Sequence, residues 1–203
     1  MPTIVSNSID VIRKNRKAGA VAALMIIFAV MNGLLLRQNL QLRKALEGSE
    51  PDRLKSGDVL EPFTAGELHG SSIDVNYAQN SPRRVLMFFS PRCPYCRKQF
   101  ASWSTIMREA PAMGFEVLAL ARDSEDKSTI EEFLKSVDCP PESKSFRVAL
   151  ISEDVRVRYK FAVTPTTLIV SSTGVIENAW NGVLTAGDTV SASTSLGISL
   201  SMQ

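Results

Sequence analysis

The sequence predicts an α/β fold, a mixed central sheet flanked by helices, preceded by one transmembrane helix. Short apolar runs typical of buried strands alternate with amphipathic segments typical of helices. The last two strand-like runs are joined only by the turn SSTG, which is typical of a hairpin. Near the N-terminus lies a run of 19 residues without charge. Together these three observations define the fold class.

The uncharged run extends from Ala18 to Leu36 and contains a single amide, Asn32. At about 1.5 Å per residue it reaches about 28 Å, close to the thickness of the bilayer hydrocarbon. A cleaved signal peptide is the alternative, but its apolar region is about 7–15 residues long and ends in small residues. No cysteine precedes Cys93, so a lipid-modified N-terminal cysteine is excluded. We therefore interpret residues 18–36 as a membrane anchor.

Charge is distributed unevenly along the chain. Residues 1–56 carry nine Lys/Arg against four Asp/Glu, whereas residues 57–203 carry fourteen against seventeen. Four of the cations cluster directly before the apolar run, which predicts residues 1–17 as a cytoplasmic tail and the C-terminal part outside the cytoplasm. A mildly acidic C-terminal part argues against a nucleic-acid partner, which would require a basic patch there.

The rest of the chain is predicted to form a juxtamembrane stalk, residues 37–56, and one domain, residues 57–203. The domain opens with GDVLEPFTAGELHGSSIDV, two short strands around turn residues, and RVLMFF, a strand buried on both faces. Phe100, Trp103 and Met107 recur at helical spacing, so a helix follows and ends at Pro111.

The second half of the domain continues the alternation. FEVLALA is the next strand, and Ser128, three residues before a glutamate, predicts a capping box at the start of the next helix. FRVALI predicts a strand, and TTLIV and VIENAW predict a hairpin after a short helix. The tail is rich in Ser, Thr and Gly and has weak periodicity, so no element is assigned to residues 183–203.

Two of the three cysteines lie in the stretch FFSPRCPYCRKQF, at the junction of the buried strand and the amphipathic helix. Cys93 is predicted to be the N-cap of that helix and Pro94 its first residue, where the missing N–H of proline costs nothing. Unpaired amides and the positive end of the helix dipole then stabilise a thiolate on Cys93, with a contribution from three nearby cations. Cys96 lies one turn deeper, so we expect it to be more buried and less ionised.

This arrangement predicts thiol–disulfide exchange, in which Cys93 attacks a substrate disulfide and Cys96 resolves the mixed disulfide. A zinc site made of Cys93, Cys96, Cys139 and His69 is an alternative, but its ligands lack a second paired spacing. A structural disulfide without chemistry is another, for which the start of a helix is an unfavourable place. The strand–CxxC–helix context favours the redox pair.

A second signal is Thr164-Pro165, which directly precedes the strand TTLIV. A proline at the entrance of a strand can mark an edge strand, since it cannot donate a hydrogen bond to a neighbouring strand. Alternatively, it is a cis-proline that faces the cysteine pair. In the second case the Thr164 backbone can hydrogen-bond an extended substrate. The CxxC motif upstream favours the second interpretation.

On these residues the chain resembles the thioredoxin superfamily, and within it the membrane-anchored TlpA/ResA-like thiol–disulfide oxidoreductases. The resemblance covers about residues 57–182 and rests on the hairpin GDVLEPFTAGELHGSSIDV, on VLMFFSPRCPYCRKQF and on YKFAVTPTTLIVSSTGVIENAWNG. It implies a thioredoxin-like fold with an N-terminal β-hairpin extension, Cys93 as nucleophile, Cys96 as resolving thiol and a cis Pro165. It also implies an extracytoplasmic location in bacteria.

The chain departs from this family where the chemistry needs a base. Thioredoxins carry a buried acid six residues before the first cysteine, and that position here is Met87. Asp123 and Glu125 are candidate proton acceptors for Cys96, although solvated loop carboxylates are the more ordinary interpretation. A peroxiredoxin is excluded because no proline lies at the required offset before Cys93.

The sequence thus predicts a membrane-tethered protein-disulfide oxidoreductase, and by family resemblance a reductase. Its expected partners are proteins with cysteines or disulfides, a membrane-bound thiol electron donor, and the lipid bilayer through residues 18–36. Apart from the redox-active Cys93–Cys96 disulfide, no metal or other cofactor is expected. A non-catalytic scaffold or metal-binding module is the alternative. Cys139 is interpreted as an ordinary loop residue, with a regulatory disulfide left open, and His69 as a surface residue.

Overall fold

The computed structural model describes residues 24–41 and 53–200, which belong to two units of the chain, Met1–Pro51 and Asp52–Gln203. The described part of the first unit is one helix, α1 (Leu24–Gln41), whose side chains are all exposed. By length and composition α1 could cross a membrane, and a signal sequence would have the same properties. Residues 1–17 and 18–23 of the predicted tail and anchor, and residues 42–52 of the predicted stalk, lie outside the described residues.

The second unit is built on a mixed sheet that has seven strands within the described residues. Three adjacent strands at its centre, β3, β4 and β5, run parallel, and every other pairing is antiparallel. The spatial order is β2-β1-β5-β4-β3-β6-β7. In chain order the strands are β1 (Phe63–Glu67), β2 (Ser72–Val75), β3 (Arg83–Phe88), β4 (Phe115–Arg122), β5 (Phe146–Ile151), β6 (Thr166–Val170) and β7 (Ile176–Asn181).

Helices and apolar side chains cover the sheet. The helices are α2 (Pro94–Glu109), which continues into a 3₁₀ turn (Ala110–Met113), α3 (Lys127–Ser136), α4 (Glu153–Arg158) and α5 (Ala186–Leu196). Alternate residues of a strand point to opposite faces. On β3, Val85 and Met87 therefore join one apolar cluster, with α2 and α3, while Leu86 and Phe88 join a second cluster. The predicted α/β class, the N-terminal hairpin and the burial of β3 on both faces are confirmed.

Two local predictions differ from the structure. Helix α3 is capped by Asp126, whose side chain accepts from the Thr129 backbone N–H at 3.1 Å, and not by Ser128. Ser128 instead donates its hydroxyl to the same carboxylate. Asp and Ser cap helices about equally well, so a sequence with both residues two positions apart does not determine the start.

The C-terminal tail forms a helix that its sequence pattern does not predict. A capping box between Thr185 and Asp188 starts α5, and Gly197, with φ of 69°, ends it. The buried side chains of α5 are Thr189, Ala192 and Leu196, of which only one is large and apolar. The apolar face is therefore too weak to be recognised as a helical periodicity.

Candidate active site

The cysteine pair lies where β3 passes into α2. Phe89 still belongs to the sheet hydrogen bonding, since its N–H donates to the Leu120 carbonyl oxygen at 2.9 Å. The chain then turns, and the Cys93 N–H donates to the Ser90 carbonyl oxygen at 3.1 Å. Cys93 is the N-cap of α2 and Pro94 is its first residue, as predicted. No acidic residue lies in the first turn of α2. Hydrogen bonds from the backbone N–H groups of Tyr95 and Cys96, which begin the helix, work to lower the pKa of Cys93.

The two thiols of the motif have opposite electrostatic environments. All three described cysteines are free thiols, with Cys96 fully buried and Cys93 half-buried. Burial raises the pKa of Cys96 to about 12. Burial also works to raise the pKa of Cys93, but hydrogen bonds from the Thr164 side chain and from the backbone N–H groups of Cys96 and Tyr95 bring it below its ordinary value. The predicted difference in burial is confirmed. Among the hydrogen bonds that lower the pKa of Cys93, the one from the Thr164 side chain is the largest, and those from the helix start follow it.

The loop before β6 lies against the same sulfur. The Thr164–Pro165 peptide is cis, as predicted. The Cys93 Sγ donates to the Thr164 carbonyl oxygen at 3.4 Å. On the other side of this loop, the Gly182 N–H donates to the Pro165 carbonyl oxygen at 2.8 Å. The structure thus brings all four predicted site residues together, while the substrate-binding role of Thr164 and Pro165 stays a prediction.

One buried contact fixes α2 against this part of the sheet. The Trp103 Nε1–H donates to the Thr167 Oγ1 at 2.9 Å, and both side chains are fully buried. Thr167 is two residues after Pro165, and Trp103 is two turns after Cys96. A satisfied buried hydrogen bond of this kind has a defined geometry, so it sets the distance between the cysteine motif and the proline loop.

The environment of Glu125 differs from the one that the sequence predicts. The Glu125 side chain is 13% exposed, and the Ser90 hydroxyl donates to its Oε1 at 3.2 Å. The Arg92 guanidinium lies 3.6 Å from its Oε2. The interpretation as a solvated carboxylate is right for Asp123, which is exposed, and wrong for Glu125. Ser90 and Glu125 both follow shortly after the carboxyl ends of neighbouring parallel strands, and this was the signal that could have placed them together.

Cys139 and His69 lie elsewhere. The Cys139 Sγ is 3.9 Å from the Met107 Sδ, and Met107 is about four helical turns, or about 20 Å, beyond Cys93 along α2. The exposed His69 has its Nδ1 4.0 Å from Glu131 Oε1. The structure therefore does not gather the four ligands of the alternative zinc site. Within residues 24–41 and 53–200 no three His, Cys, Asp or Glu side chains form a group that could hold a metal ion.

The fold and the site define a thioredoxin-like protein with a CxxC pair at the start of its central helix. The model of the AhpC/TSA family matches residues 56–179, more than half of the chain. The chain belongs to the AhpC/TSA family.

Solved structures share this fold at low sequence identity. A Chlorobium tepidum protein assigned as a thiol:disulfide interchange protein DsbE is 21% identical, with a TM-score of 0.58, and the match covers 71% of this chain and 97% of that chain. A secreted Mycobacterium tuberculosis disulfide oxidoreductase homologous to E. coli DsbE is 20% identical, with a TM-score of 0.52, over 66% of this chain and 94% of that chain.

A third similar structure is a peroxiredoxin-like protein from Aquifex aeolicus, with 14% identity and a TM-score of 0.53 over 71% of this chain and 89% of that chain. At these identities the likeness shows the fold, and the predicted thioredoxin-like fold is confirmed. A search of curated proteins finds no match to this chain.

Proposed function

We propose that the protein is a membrane-tethered thiol–disulfide oxidoreductase that reduces disulfides of proteins outside the cytoplasm. One observation carries the proposal: a half-buried sulfur with a lowered pKa and a buried sulfur with a raised pKa lie within one helical turn. Thiol–disulfide exchange requires this pair, because the thiolate is the attacking species and the second thiol must wait until the mixed disulfide has formed.

The reaction follows from the two environments. The Cys93 thiolate attacks one sulfur of a substrate disulfide, so that the substrate S–S bond breaks and the other substrate sulfur leaves with the electron pair. Cys96 then attacks the Cys93 sulfur, and the remaining substrate sulfur leaves in turn. Two electrons pass to the substrate, and the Cys93–Cys96 disulfide remains. A thiol electron donor at the membrane would reduce this disulfide for the next cycle.

Insulin reduction tests the catalytic part of the proposal. The full-length protein in detergent, supplied with dithiothreitol, is expected to accelerate the reduction of insulin disulfides. Cys93→Ser should abolish the acceleration, because no activated thiolate remains. Cys139→Ser is the matched control, since its thiol lies about 20 Å away along α2, and should keep the wild-type rate. A wild-type rate equal to that of Cys93→Ser would favour the scaffold or metal-binding alternative.

The tether and its orientation rest on the exposed apolar side chains of α1 and on the cations before the apolar run. A fusion of alkaline phosphatase after residue 203 should be active in a bacterial host, since this enzyme needs the oxidising periplasm. A fusion after residue 17 is the control and should be inactive. An inactive fusion after residue 203 would reverse the proposed topology.

The direction of electron flow is tested by the equilibrium reduction potential of the Cys93/Cys96 couple. A reductase should lie nearer to the thioredoxin value of about −270 mV than to the value of about −120 mV of a strong oxidant. A potential near the upper value would show that the protein oxidises its substrates.

A further inference from the structure

We propose that Glu125, acting through Ser90, is a positioning residue for the second step of exchange and takes up the proton that Cys96 loses. This inference rests on the proposed function and names a residue that neither the motif nor the family membership assigns. It fills the place of the acid that the chain lacks at Met87, a position that is fully buried and apolar.

The first observation is that the Glu125 carboxylate is withdrawn from solvent beside the cysteine loop. Its side chain is 13% exposed, whereas that of Arg92, its ionic partner at 3.6 Å, is 76% exposed. An ion pair with such an exposed partner contributes little, because solvent screens it. A carboxylate that is largely withdrawn from solvent needs compensating contacts, and Glu125 accepts a hydrogen bond from the Ser90 hydroxyl at 3.2 Å.

The second observation is that Ser90 also contacts both cysteines. Its carbonyl oxygen accepts from the Cys93 N–H at 3.1 Å. A hydrogen bond from its backbone N–H works to lower the pKa of Cys96. Ser90 therefore lies against the Glu125 carboxylate through its hydroxyl and beside the buried thiol through its backbone N–H.

The nearest polar side chain on α2 cannot accept the proton of Cys96. Gln99, one turn beyond Cys96, is a neutral amide whose Oε1 accepts from the Leu184 N–H at 2.8 Å. The ionic partner of Glu125 across the loop is Arg92, and the charged residues nearest to it on its own segment are Arg122, Asp123 and Asp126. Arg122 pairs with Glu153, Asp123 is exposed, and Asp126 caps α3. Glu125 is thus the carboxylate that the structure directs to Ser90.

The proton balance of the second step gives Glu125 its role. Cys96 must lose its proton before it can attack, and its burial holds it as a thiol. Once Cys93 is bound in the mixed disulfide, the Cys96 S–H bond breaks and its proton passes through the Ser90 hydroxyl to the Glu125 carboxylate. The Cys96–Cys93 bond forms, the Cys93–substrate bond breaks, and the substrate sulfur leaves as a thiolate that takes a proton from solvent or from Glu125. No further reactant is needed.

Ellman's reagent separates the two steps in one experiment on the reduced full-length protein in detergent. Cys139 is replaced by Ser in every protein compared, so that this third free thiol adds no release of its own. Attack by Cys93 releases the first coloured thiolate, and attack by Cys96 on the mixed disulfide releases the second. Glu125→Gln should leave the first release intact and slow the second by about tenfold or more at neutral pH. Ser90→Ala should slow the same step, and Glu125→Asp should recover part of the rate. Asp123→Asn is the matched control and should behave as wild type.

The pH profile separates this role from a structural one. In the wild type the Cys96 proton has an acceptor beside the loop, so the rate of the second release should depend little on pH around neutrality. In Glu125→Gln the attack has to wait for direct ionisation of Cys96, so its rate should rise about tenfold per pH unit. Equal rates and slopes in Glu125→Gln and Asp123→Asn would overturn the inference.

A failure of the proposed function would look different. The Cys96→Ser variant should stop after one release, and if it gives two, or if the wild type gives only one, the exchange mechanism itself is wrong. Circular dichroism and thermal unfolding show whether Glu125→Gln is folded. Should that variant not fold, the pH profile of Ser90→Ala decides the inference, because the hydroxyl is part of the same path.

Discussion

Cys96 lies in the first turn of α2, while Cys139 packs against Met107 near the last turn of the same helix. Burial raises the pKa of both thiols to about 12. Their surroundings nevertheless differ, because Cys96 has a second cysteine one turn away and a helix N-terminus beside it, whereas the contact of Cys139 is a thioether. A buried thiol of high pKa is therefore no sign of redox chemistry by itself. The partner sulfur and the helix start make the difference.

The comparison also bears on the alternative of a regulatory disulfide at Cys139. Its pKa is raised first by burial and further by the charges of Glu142 and Asp138, so the thiolate is disfavoured at neutral pH. The thiol and His69 line the same surface cavity of about 350 Å³. The structure thus supports the interpretation of Cys139 as an ordinary, partly buried residue that packs beside a loop.

The largest expected effect that separates the two ends of α2 is the trapping of a substrate. Cys96→Ser removes the resolving thiol, so the mixed disulfide of Cys93 should accumulate from undetectable to a major species. Non-reducing gel electrophoresis of the variant incubated with a disulfide-containing protein measures this. Cys139→Ser should trap nothing, and trapping by that variant would show that Cys139 also resolves the intermediate.

A smaller effect should appear in the rates of alkylation. A thiol with a pKa of about 12 is ionised to roughly one part in 10⁵ at pH 7, and a thiol whose pKa lies below 9.0, as that of Cys93 does, to about one per cent or more. Cys93 should therefore react with iodoacetamide at least about a thousandfold faster than Cys96 or Cys139, as followed by mass spectrometry of peptides.

The denatured protein provides the control for this measurement, because all three thiols should then react alike. Equal reaction of Cys93 and Cys139 in the folded, reduced protein would contradict the account of the helix start.

The smallest effect concerns the stability of the reduced protein in alkali. A pKa that is raised in the folded state means that the neutral thiol is favoured there. Its contribution is fully present below the unfolded value of about 8.5 and is lost as the pH rises towards about 12. Cys139→Ala should cost about 1 kcal/mol below pH 8.5, and less at higher pH.

Urea unfolding of both proteins at a series of pH values measures this difference. Ionisation of Cys96 lowers the free energy of unfolding at high pH in both proteins. The variant therefore still loses stability as the pH rises, but less than the wild type. A cost of Cys139→Ala that stays constant or grows as the pH rises would contradict the assignment.

The elements that the sequence could define are those whose pattern is local and strong. β3 is an apolar run buried on both faces, and Cys93 is a cap with proline behind it. Helix α5 was missed because its buried face is made mostly of small residues. The start of α3 was assigned to Ser128 because Asp126 and Ser128 offer equivalent caps, and the choice between them depends on packing.

The site was predictable to the same extent. The CxxC motif predicted which thiol is activated, and the second motif predicted the proline loop beside it. The burial of Glu125 could not be read in this way, since it depends on β3 and β4 being parallel neighbours, so that residues 35 positions apart meet at one edge of the sheet. Pairing between strands is not encoded in the local pattern of either strand.

The hydrogen bond from the Cys93 sulfur to the Thr164 carbonyl oxygen has a consequence for the working cycle. A sulfur without a proton cannot donate, so the bond exists only while Cys93 is a neutral thiol. In that state the Cys93 thiol occupies the Thr164 carbonyl oxygen. This is a backbone acceptor that an extended substrate is predicted to use. Ionisation of Cys93 therefore frees the Thr164 carbonyl oxygen and produces the attacking thiolate in the same step.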